Sequence, residues 1–541
     1  LHAQRQVALL RSVAGAASGG ATAVLFQRDY DPHHEASLRR AVASSSREGS
    51  AGGAADDFFL VGFPGHLVFY LADSATWDLA EVTSRHSFNS PLMPFVEECL
   101  DNRPLPMPPI PAAPKGEALA LPPRGAAIDE RLQVEDLTER AGRARTNAGA
   151  VVDWGRCIRE NWPMTEDAAR GALARFLEEL PDAAGAVRQD APPKPKMHLA
   201  SRISAYLSHG VLSPRRVFLE ASKAGTSGKD TATFLRRCLW RDYSYHVLES
   251  FPSTWTNVGD GRVPFNCEPI RTAYDLTTAQ AAVWRGCRGE DDIHGSRDTA
   301  LQARLLHAWK RGRTGFPLVD AGMRQLWSEG WLPQKARLVA AAFLVEVLAQ
   351  PWEQGLRHFA EALVDFDPAI NTAMWMNAAY IGLDPYYAAP DYKRRPYWDR
   401  DGSYVRRWCP ELARLPDSAE SESNTGTETV DPLYAPWLAP EKTLQAAGVD
   451  LGVAYPSRCV EERGRRKAFL QALLEQRESW VEQGLVDARG FDLVDFGRAH
   501  PRAGFAPEHR VELRETQAPM QASNSCSTEK RDSRTTKTMG Q

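Results

Sequence analysis

The segment Thr314–Gly355 reads TGFPLVDAGMRQLWSEGWLPQKARLVAAAFLVEVLAQPWEQG, and its tryptophans and paired charges have spacings that a solvated helix does not need. Arg337 lies there among alanines and aliphatic residues, in a long amphipathic stretch. Downstream, Asp365, Asp367 and Pro368 have the order of a helix N-cap and first turn. Because a buried guanidinium needs a carboxylate partner, the separation predicts a long helix, a turn and then an ion pair with Asp365. This arrangement suits a deep apolar cofactor cavity, although an ordinary interhelical ion pair is the alternative.

The composition excludes several classes of protein. A chain of 541 residues with 43% hydrophobic content can bury a large core, and two domains are expected. No run of about 18 apolar residues is present, so neither a transmembrane helix nor a membrane partner is expected. The eight cysteines lack CxxC and Cys/His metal spacing, which predicts reduced thiols, no metal site and a soluble intracellular protein in nucleus, cytoplasm or organelle. The net charge of −4 disfavours wholesale coating of nucleic acid but leaves a local basic groove open.

Periodicity divides the chain into an α/β part and an all-α part. Residues 23–30 (AVLFQRDY) and 58–63 (FFLVGF) read as strands with a helix and a Gly/Ser/Ala linker between them, which predicts a parallel α/β layer. Because the chain begins at Leu1 without an initiator methionine, a truncated N-terminus is expected. The predicted organisation is a partial α/β domain over 1–103, a proline-rich linker over 104–150, a helical domain over 151–490 and a disordered tail over 491–541. Insertions are expected in the helical domain near 257–299 and, as an acidic solvated segment, near 417–429.

Four further segments carry a family resemblance. They are HLASRISAYLSHGVLSPRRVF (198–218), FLRRCLWRDYSYHVL (234–248), PELARLP (410–416) and APEKTLQAAGVDLGVAYP (439–456). Together with the segment described first, they resemble the photolyase and cryptochrome superfamily, flavoproteins that use blue light to move an electron to or from FAD. The resemblance extends over roughly Asp153–Gln476 and implies a Rossmann-like parallel-sheet antenna domain followed by a large helical FAD-binding domain. Only the second half of the antenna domain has a counterpart here, so the antenna pigment stays uncertain.

The resemblance implies a set of FAD-binding residues. The segment 201–204 would present hydroxyls, a guanidinium and backbone N–H groups to the diphosphate, although short Ser/Arg strings are common in proteins. The family usually has threonine where Ala200 stands. Asn371 falls at the position facing flavin N5, where asparagine is the photolyase-like choice. The implied cofactor-binding set is Ser201, Arg202, Ile203, Ser204, Arg241, Arg337, Asp365, Asp367 and Asn371.

Two tryptophans match the electron relay of the family. Trp375 lies one helical turn after the N5-facing asparagine, and Trp352 is predicted near the end of the preceding long helix. The resemblance implies that both pass electrons to photoexcited flavin and form the catalytic set together with that asparagine; ordinary aromatic packing is the alternative. The third relay position falls near Thr299, and Trp284 could substitute for the missing tryptophan. Trp309 matches a family tryptophan with another role.

The resemblance leaves repair and signalling open. Trp240 and Arg241 match the pair of repair enzymes in which the indole stacks on a flipped pyrimidine dimer. The acidic residue expected three positions before that tryptophan is Arg237 here, and the second dimer-contacting tryptophan is Asn377. Both changes imply weaker repair. A group that would accept hydrogen bonds from the bases is replaced by a donor, and an aromatic contact to the dimer is lost. The implied substrate or DNA contacts are Trp240, Arg237, Gln334, Lys335, Leu338 and Asn377.

The sequence therefore predicts a FAD-dependent, blue-light-driven electron-transfer protein that is photolyase-like, with reduced or altered repair of cyclobutane dimers. It would be a possible deoxyribodipyrimidine photolyase, a carbon–carbon lyase, with damaged DNA as its partner. A cryptochrome-type blue-light photoreceptor, which signals to partner proteins through its C-terminal tail, is the alternative. A helical nucleic-acid-binding protein without flavin is a weaker alternative, which the near-neutral composition disfavours.

Overall fold

A computed structural model describes most of the helical part of the chain and short pieces elsewhere. The described residues are 22–27, 58–63, 143–145, 149–185, 200–223, 229–251, 276–285, 299–382, 391–423, 426–462, 464–483, 491–495 and 510–514. Near the N-terminus, β1 (Thr22–Gln27) pairs in parallel with β2 (Phe58–Phe63). The rest of the predicted α/β domain, including its helix, and most of the predicted linker lie outside the described residues.

Helices dominate the chain from Arg156 to Glu482. A small antiparallel pair, β3 (Arg143–Arg145) and β4 (Val151–Asp153), precedes them. The first half contains α1 (Arg156–Asn161), α2 (Glu166–Gly185), α3 (Ser204–Ser208), α4 (Pro214–Lys223), α5 (Lys229–Ser250), α6 (Leu276–Arg285) and α7 (Thr299–Lys310). The second half contains α8 (Pro317–Glu329), α9 (Gln334–Ala342), a π-helix (Phe343–Val347), α10 (Trp352–Ala362), α11 (Pro368–Ala378), α12 (Ser403–Trp408), α13 (Glu441–Ala447) and α14 (Arg465–Glu482).

The apolar faces of these helices form two clusters. The larger one surrounds α8, α9 and the π-helix, and its fully buried members include Trp309, Phe316, Phe343 and Phe359. The smaller one joins α2, α3 and α4 around Trp162. Burial of this much aromatic surface is the main favourable term for the fold. The two clusters border the cavity described below from different sides.

The predicted long helix between Arg337 and Asp365 is wrong. The chain forms three shorter segments there, namely α9, the π-helix and α10. Ala349 has a left-handed backbone (φ 51°), and Pro351 forms the N-cap of α10, so an α-helix cannot continue through this stretch. Trp352 is therefore the first residue of α10 and does not lie near the end of a preceding helix.

Both predicted insertions contain regular structure. Within 257–299, α6 buries Ala279 and Val283 and contacts α14 and the π-helix, so this part of the polar segment belongs to the core. Within 417–429, β5 (Ala419–Ser423) and β6 (Gly426–Val430) form an antiparallel hairpin. The acidic composition predicted a solvated segment there and gave no indication of the two strands.

The structure describes ten residues of the predicted tail over 491–541. There, β7 (Phe491–Asp495) and β8 (Arg510–Arg514) pair as antiparallel strands. Their sequences, FDLVD and RVELR, alternate apolar and charged residues, which is the pattern of a half-buried strand. The other tail residues lie outside the described part of the chain. Among the described helices, none combines the length and the apolar composition that crossing a bilayer requires.

Candidate functional site: a cavity between α5, α9 and α11

A cavity of about 470 Å³ opens between α5, α9, α11 and the loop before α3. Its volume lies within the range of about 300–1,000 Å³ that is usual for small-molecule and cofactor sites. A second cavity of about 40 Å³ adjoins it and is lined by Arg337, Asn371 and Trp375 among others. Two sides of the large cavity carry most of its polar groups. We call the side formed by Arg337, Asp365, Asp367 and Asn371 the aspartate wall, and the side formed by Ser201, Arg202, Ser204 and Trp331 the serine wall.

The aspartate wall begins at the start of α11. Asp367 is the N-cap, its side chain accepts a hydrogen bond from the Ile370 backbone N–H at 3.0 Å, and Pro368 follows in the first turn. Asp367 also forms a buried ion pair with Arg241 at 3.1 Å and accepts a hydrogen bond from the Tyr245 hydroxyl at 3.1 Å. The side chain that caps the helix therefore also connects α11 to α5.

Arg337 and Asp365 form the ion pair that their sequence suggests. The guanidinium of Arg337 donates to Asp365 Oδ2 at 2.7 Å and to the Leu332 carbonyl at 2.9 Å. The other carboxylate oxygen, Asp365 Oδ1, is buried and has no hydrogen-bond partner among the described residues. A buried acceptor without a donor is costly, so this oxygen is suited to a donor on a bound ligand.

Asn371 lies on the inward face of α11. Its amide Nδ2 donates to the Asp367 carbonyl at 3.0 Å, which holds the side chain against the first turn of the helix. Asn371 lines both the large and the small cavity, and Trp375 lines the small one. The asparagine amide and the indole are thus presented to adjoining spaces from successive turns of α11.

In the serine wall, the guanidinium of Arg202 has protein partners that the sequence did not predict. Its guanidinium lies between the rings of Trp162 and Trp331, 4.8 and 4.9 Å from their centroids, and donates to buried Glu329 at 3.2 Å. Arg202 lines the cavity, but these partners already engage the guanidinium that was expected to face a diphosphate. Its backbone is left-handed (φ 50°), an uncommon state for a residue with a side chain.

The serine side chains of this wall line the cavity. Ser201 and Ser204 both do so, and Ser204 Oγ accepts a hydrogen bond from Trp331 Nε1 at 3.1 Å. Ile203 is buried in the smaller cluster and is not among the residues that line the described cavities. Two hydroxyls and the backbone of this loop are therefore the groups that can meet a ligand here.

The two tryptophans that were predicted to form the relay are both buried. Trp375 and Trp352 are 2% and 3% exposed, respectively. The ring of Trp375 packs edge-on against Phe359 at 5.0 Å and Trp309 at 6.3 Å between centroids. Thr299, at the expected third position, begins α7. Trp284 lies on α6 with the Arg465 guanidinium 4.8 Å from its ring, and its part as a substitute stays a prediction.

The predicted substrate contacts divide into two groups. Arg237, Gln334 and Lys335 line the large cavity, and Leu338 lines the small one. Trp240 and Asn377 are not among the lining residues of either described cavity. The ring of Trp240 packs against Tyr243 at 5.4 Å, and the side chain of Asn377 is buried against Gly382.

Sequence reasoning missed four side chains of the site. Glu329 and Trp331 hold Arg202, while Trp398 and the exposed Tyr397 line the cavity from the segment before α12. A signal for the first two was present, because Gly330 ends α8 in a left-handed conformation between them and turns the chain toward the cavity. In the part of the chain that the structure describes, no cluster of three or more His, Cys, Asp or Glu could hold a metal ion.

Comparison with known proteins relates this chain to photolyases and cryptochromes. The family described as the FAD binding domain of DNA photolyase matches residues 234–475. A deoxyribodipyrimidine photo-lyase of Agrobacterium fabrum is 31% identical over 334 residues, covering 59% of this chain and 58% of the relative. Cryptochrome-1 of Arabidopsis thaliana is 42% identical over 163 residues, covering 29% of this chain and 22% of the relative. The chain thus spans less than two thirds of the length of these curated relatives.

Two solved structures share the fold. A bacterial class III photolyase from Agrobacterium tumefaciens superposes with a TM-score of 0.56 at 25% identity, covering 88% of this chain and 82% of the other. A cryptochrome of Synechocystis superposes with a TM-score of 0.51 at 18% identity and the same coverage, a likeness of fold alone.

Proposed function

Because the chain belongs to the photolyase and cryptochrome superfamily, we propose that it is a FAD-dependent protein that moves electrons under blue light. The observation that carries this proposal is the cavity in which the Arg337–Asp365 ion pair and Asn371 lie beside Trp375. In this proposal, residues 1–103 form a partial α/β antenna domain, 104–150 a linker and 151–490 the helical FAD-binding domain. The antenna pigment stays open.

The side chains of the cavity fit FAD. Asp365 Oδ1, buried without a partner among the described residues, would accept a hydrogen bond from the flavin. Ser201 and Ser204 would donate hydrogen bonds from their hydroxyls to the diphosphate, and the ion pair of Arg337 and Asp365 would lie at the flavin ring. Arg202 would act as a positioning residue, because Glu329 and two indole rings engage its guanidinium.

The cofactor and the side chains around it would have separate roles in electron transfer. Bound FAD supplies the chromophore and the electron acceptor. Trp375 would donate the first electron, because its buried ring lines the small cavity together with Asn371. Trp352 would be a further donor. Asn371 would donate or accept a hydrogen bond at the flavin through its amide, while its own hydrogen bond to the Asp367 carbonyl fixes its orientation.

A photolyase-like activity with reduced repair of cyclobutane dimers is the function we favour, and damaged DNA would be its substrate. Arg237 and Lys335 line the cavity and would meet the phosphates or bases of a flipped lesion. Cryptochrome-type signalling to partner proteins is the second candidate. It is favoured by the basic Arg237 in place of an acid and by the 42% identity with Cryptochrome-1.

An absorption spectrum of purified protein before and after blue light tests the proposal. We expect a yellow protein whose flavin absorption bleaches on illumination, and much less bound flavin in the Asp365→Ala variant. A folded but colourless protein that binds DNA equally in light and darkness would refute the flavin hypothesis and support the nucleic-acid-binding alternative.

A repair assay then separates the two candidates. Wild-type protein and the Arg237→Glu variant are illuminated with an oligonucleotide containing one thymine dimer. Weak repair by the wild type that increases in the variant supports a photolyase, because the acid can again accept hydrogen bonds from the bases. Absence of repair in both, with a light-dependent change in protease sensitivity of the C-terminal segment, supports signalling.

A further inference from the structure

The mouth of the large cavity carries an exposed aromatic side chain among positive charges. Of the described residues that line this cavity, the exposed ones are Arg237, Gln334, Lys335 and Tyr397, and we call these four the rim. The side chain of Tyr397 is 62% exposed. The rim has two cationic groups and no carboxylate, so it favours a polyanion over a neutral or cationic ligand.

Other aromatic residues near the cavity are less accessible. Trp331 and Trp398 line it, but they are only 8% and 6% exposed. Trp240, which was predicted to stack on a lesion, lines neither described cavity, and its ring packs against Tyr243. Among the described lining residues, Tyr397 is therefore the aromatic side chain that a planar group can reach from solvent.

The backbone that carries Tyr397 is held in place although its side chain is exposed. The N–H of Asp399 donates to the Pro396 carbonyl at 3.0 Å, which closes a turn around Tyr397. The Asp399 carboxylate accepts hydrogen bonds from two backbone N–H groups in the first turn of α12, at 2.9 and 3.2 Å. The adjacent ring of Trp398 packs edge-on against Tyr404 at 5.5 Å. Because its backbone is already ordered, this ring loses little conformational freedom when it binds a partner.

Lys335 lies beside one face of the exposed ring. Its ammonium group is 5.9 Å from the ring centroid of Tyr397, which is within the range of a cation–π contact. Among the described residues, no second ring packs against Tyr397, so its other face is available for stacking. A strand of nucleic acid can use both groups, because its bases are planar and its phosphates are anionic.

We propose that Tyr397 is a substrate-binding residue on which the nucleobase next to a flipped lesion stacks, while Lys335 and Arg237 contact the flanking phosphates. The proposal rests on the proposed function, in which damaged DNA enters this cavity. FAD would occupy the deep part beside Asp365 and Asn371, so a lesion that approaches it has to pass the rim. The neighbouring base in the strand would then lie at the level of the exposed ring.

Stacking and phosphate binding by the rim can be distinguished by their dependence on salt. A lysine that contacts a phosphate releases a counterion, so its loss lowers the salt dependence of binding. A stacked phenol ring releases no counterion, and its loss lowers the affinity by a similar factor at each salt concentration. The contributions of Tyr397 and Lys335 are therefore separable although the two side chains are in contact.

The test measures binding of the full chain with bound flavin to a fluorescent oligonucleotide that contains one thymine dimer. Anisotropy is recorded in darkness at several salt concentrations, with equal flavin content in all variants. We expect Tyr397→Ala to weaken binding about ten-fold, which is within the usual contribution of one stacked base, and Tyr397→Phe to keep most of the affinity. The slope of log K against log salt should stay unchanged in both, whereas Lys335→Ala should reduce its magnitude by about one. Trp154→Ala is the matched control and should bind like wild type, because Trp154 is 59% exposed and lines neither described cavity.

Two further oligonucleotides identify the stacked base. In each, an abasic residue replaces the nucleotide on either the 5′ or the 3′ side of the dimer. We expect one of them to bind wild type about as weakly as the intact oligonucleotide binds Tyr397→Ala, with little additional loss when the two changes are combined. An undiminished effect of Tyr397→Ala on both abasic oligonucleotides would contradict stacking on a neighbouring base.

The outcomes separate this proposal from the proposed function. Wild-type affinity in Tyr397→Ala would overturn the stacking role and leave the photolyase-like function standing. A flavin-containing wild type that does not bind the dimer-containing oligonucleotide would refute damaged DNA as the substrate, and the stacking role with it.

Discussion

The two walls of the cavity place an arginine beside a carboxylate in different ways. In the aspartate wall, Arg337 pairs with Asp365, and one carboxylate oxygen remains without a partner among the described residues. In the serine wall, Arg202 pairs with Glu329, which also binds Arg407 and Gln325 and leaves no such oxygen. The first wall therefore keeps hydrogen-bonding capacity for a ligand. In the second wall, protein groups already occupy both carboxylate oxygens. The groups that remain for a ligand are mainly serine hydroxyls.

The walls also differ in exposure, and this difference sets the size of the expected effects. The Arg241–Asp367 pair beside the aspartate wall is 6% exposed on both sides. In the serine wall, the side chains of Arg202 and Arg407 are 38% and 68% exposed. Water can solvate the charge of an exposed arginine when its carboxylate partner is removed. The charge of Arg241 is too buried for the same solvation.

The largest effect is expected from Asp367→Ala. This change removes the cap of α11, the hydrogen bond from Tyr245 and the partner of Arg241 at once. We expect the free energy of unfolding to fall by about 3–5 kcal/mol, the usual result of leaving one charge of a buried pair. Urea denaturation measures it. Asp367→Asn should lose less, because its amide oxygen can still cap the helix, and equal losses in both variants would contradict this account.

The next effect concerns His358, on α10 behind the aspartate wall. Its pKa is lowered from 6.5 to about 4, mainly because burial disfavours the charged ring. Between these values the unfolded chain binds a proton that the folded protein does not, so stability decreases as pH falls. We expect this group to contribute a loss of up to about 3 kcal/mol across that window. The difference in unfolding free energy between wild type and His358→Phe, measured from pH 7 to pH 4, should shrink by that amount; a constant difference would rule out the titration of His358.

A smaller effect is expected from Glu329→Gln in the serine wall. Loss of the charge weakens the contacts with Arg202 and Arg407, but both guanidiniums can turn to water. We expect a loss of about 1–2 kcal/mol in unfolding free energy. Glu160→Gln, which removes an exposed ion pair with Arg156, is the control and should leave stability essentially unchanged. A loss as large as that of Asp367→Ala would mean that the two walls do not differ as described.

The smallest expected effect is an increase in affinity for FAD. Ala200 lines the cavity next to Ser201 and has no hydroxyl. In Ala200→Thr, one new hydroxyl can donate to the diphosphate, and a net hydrogen bond of about 1 kcal/mol corresponds to roughly five-fold tighter FAD binding. Titration of flavin-depleted protein with FAD measures the gain, and Ser201→Ala should shift affinity the opposite way. Unchanged affinity in both variants would exclude this loop from contact with the diphosphate.

Local signals explain which predictions agree with the structure. Asp367-Pro368 is an N-cap signature that depends on neighbours in the chain, and the helix begins there. The ion pair of Arg337 and Asp365 follows from the need of a buried guanidinium for a carboxylate. The long helix was wrong because the π-helix and the left-handed Ala349 depend on packing that apolar periodicity does not encode. The strand pair β5–β6 was missed because its polar, acidic sequence lacks the β-branched and aromatic residues that usually indicate strands.

The amino-acid sequence alone was enough to identify the superfamily, the helical character and several of the residues bordering the cavity, because these follow from motifs and short-range pattern. Only the tertiary structure showed that the guanidinium of Arg202 pairs with Glu329 and lies between two tryptophan rings. It also showed that the rings of Trp309, His358 and Trp327 are in contact. These contacts join residues from separate helices. Their existence depends on how the helices pack, and side-chain spacing along one segment carries no information about it.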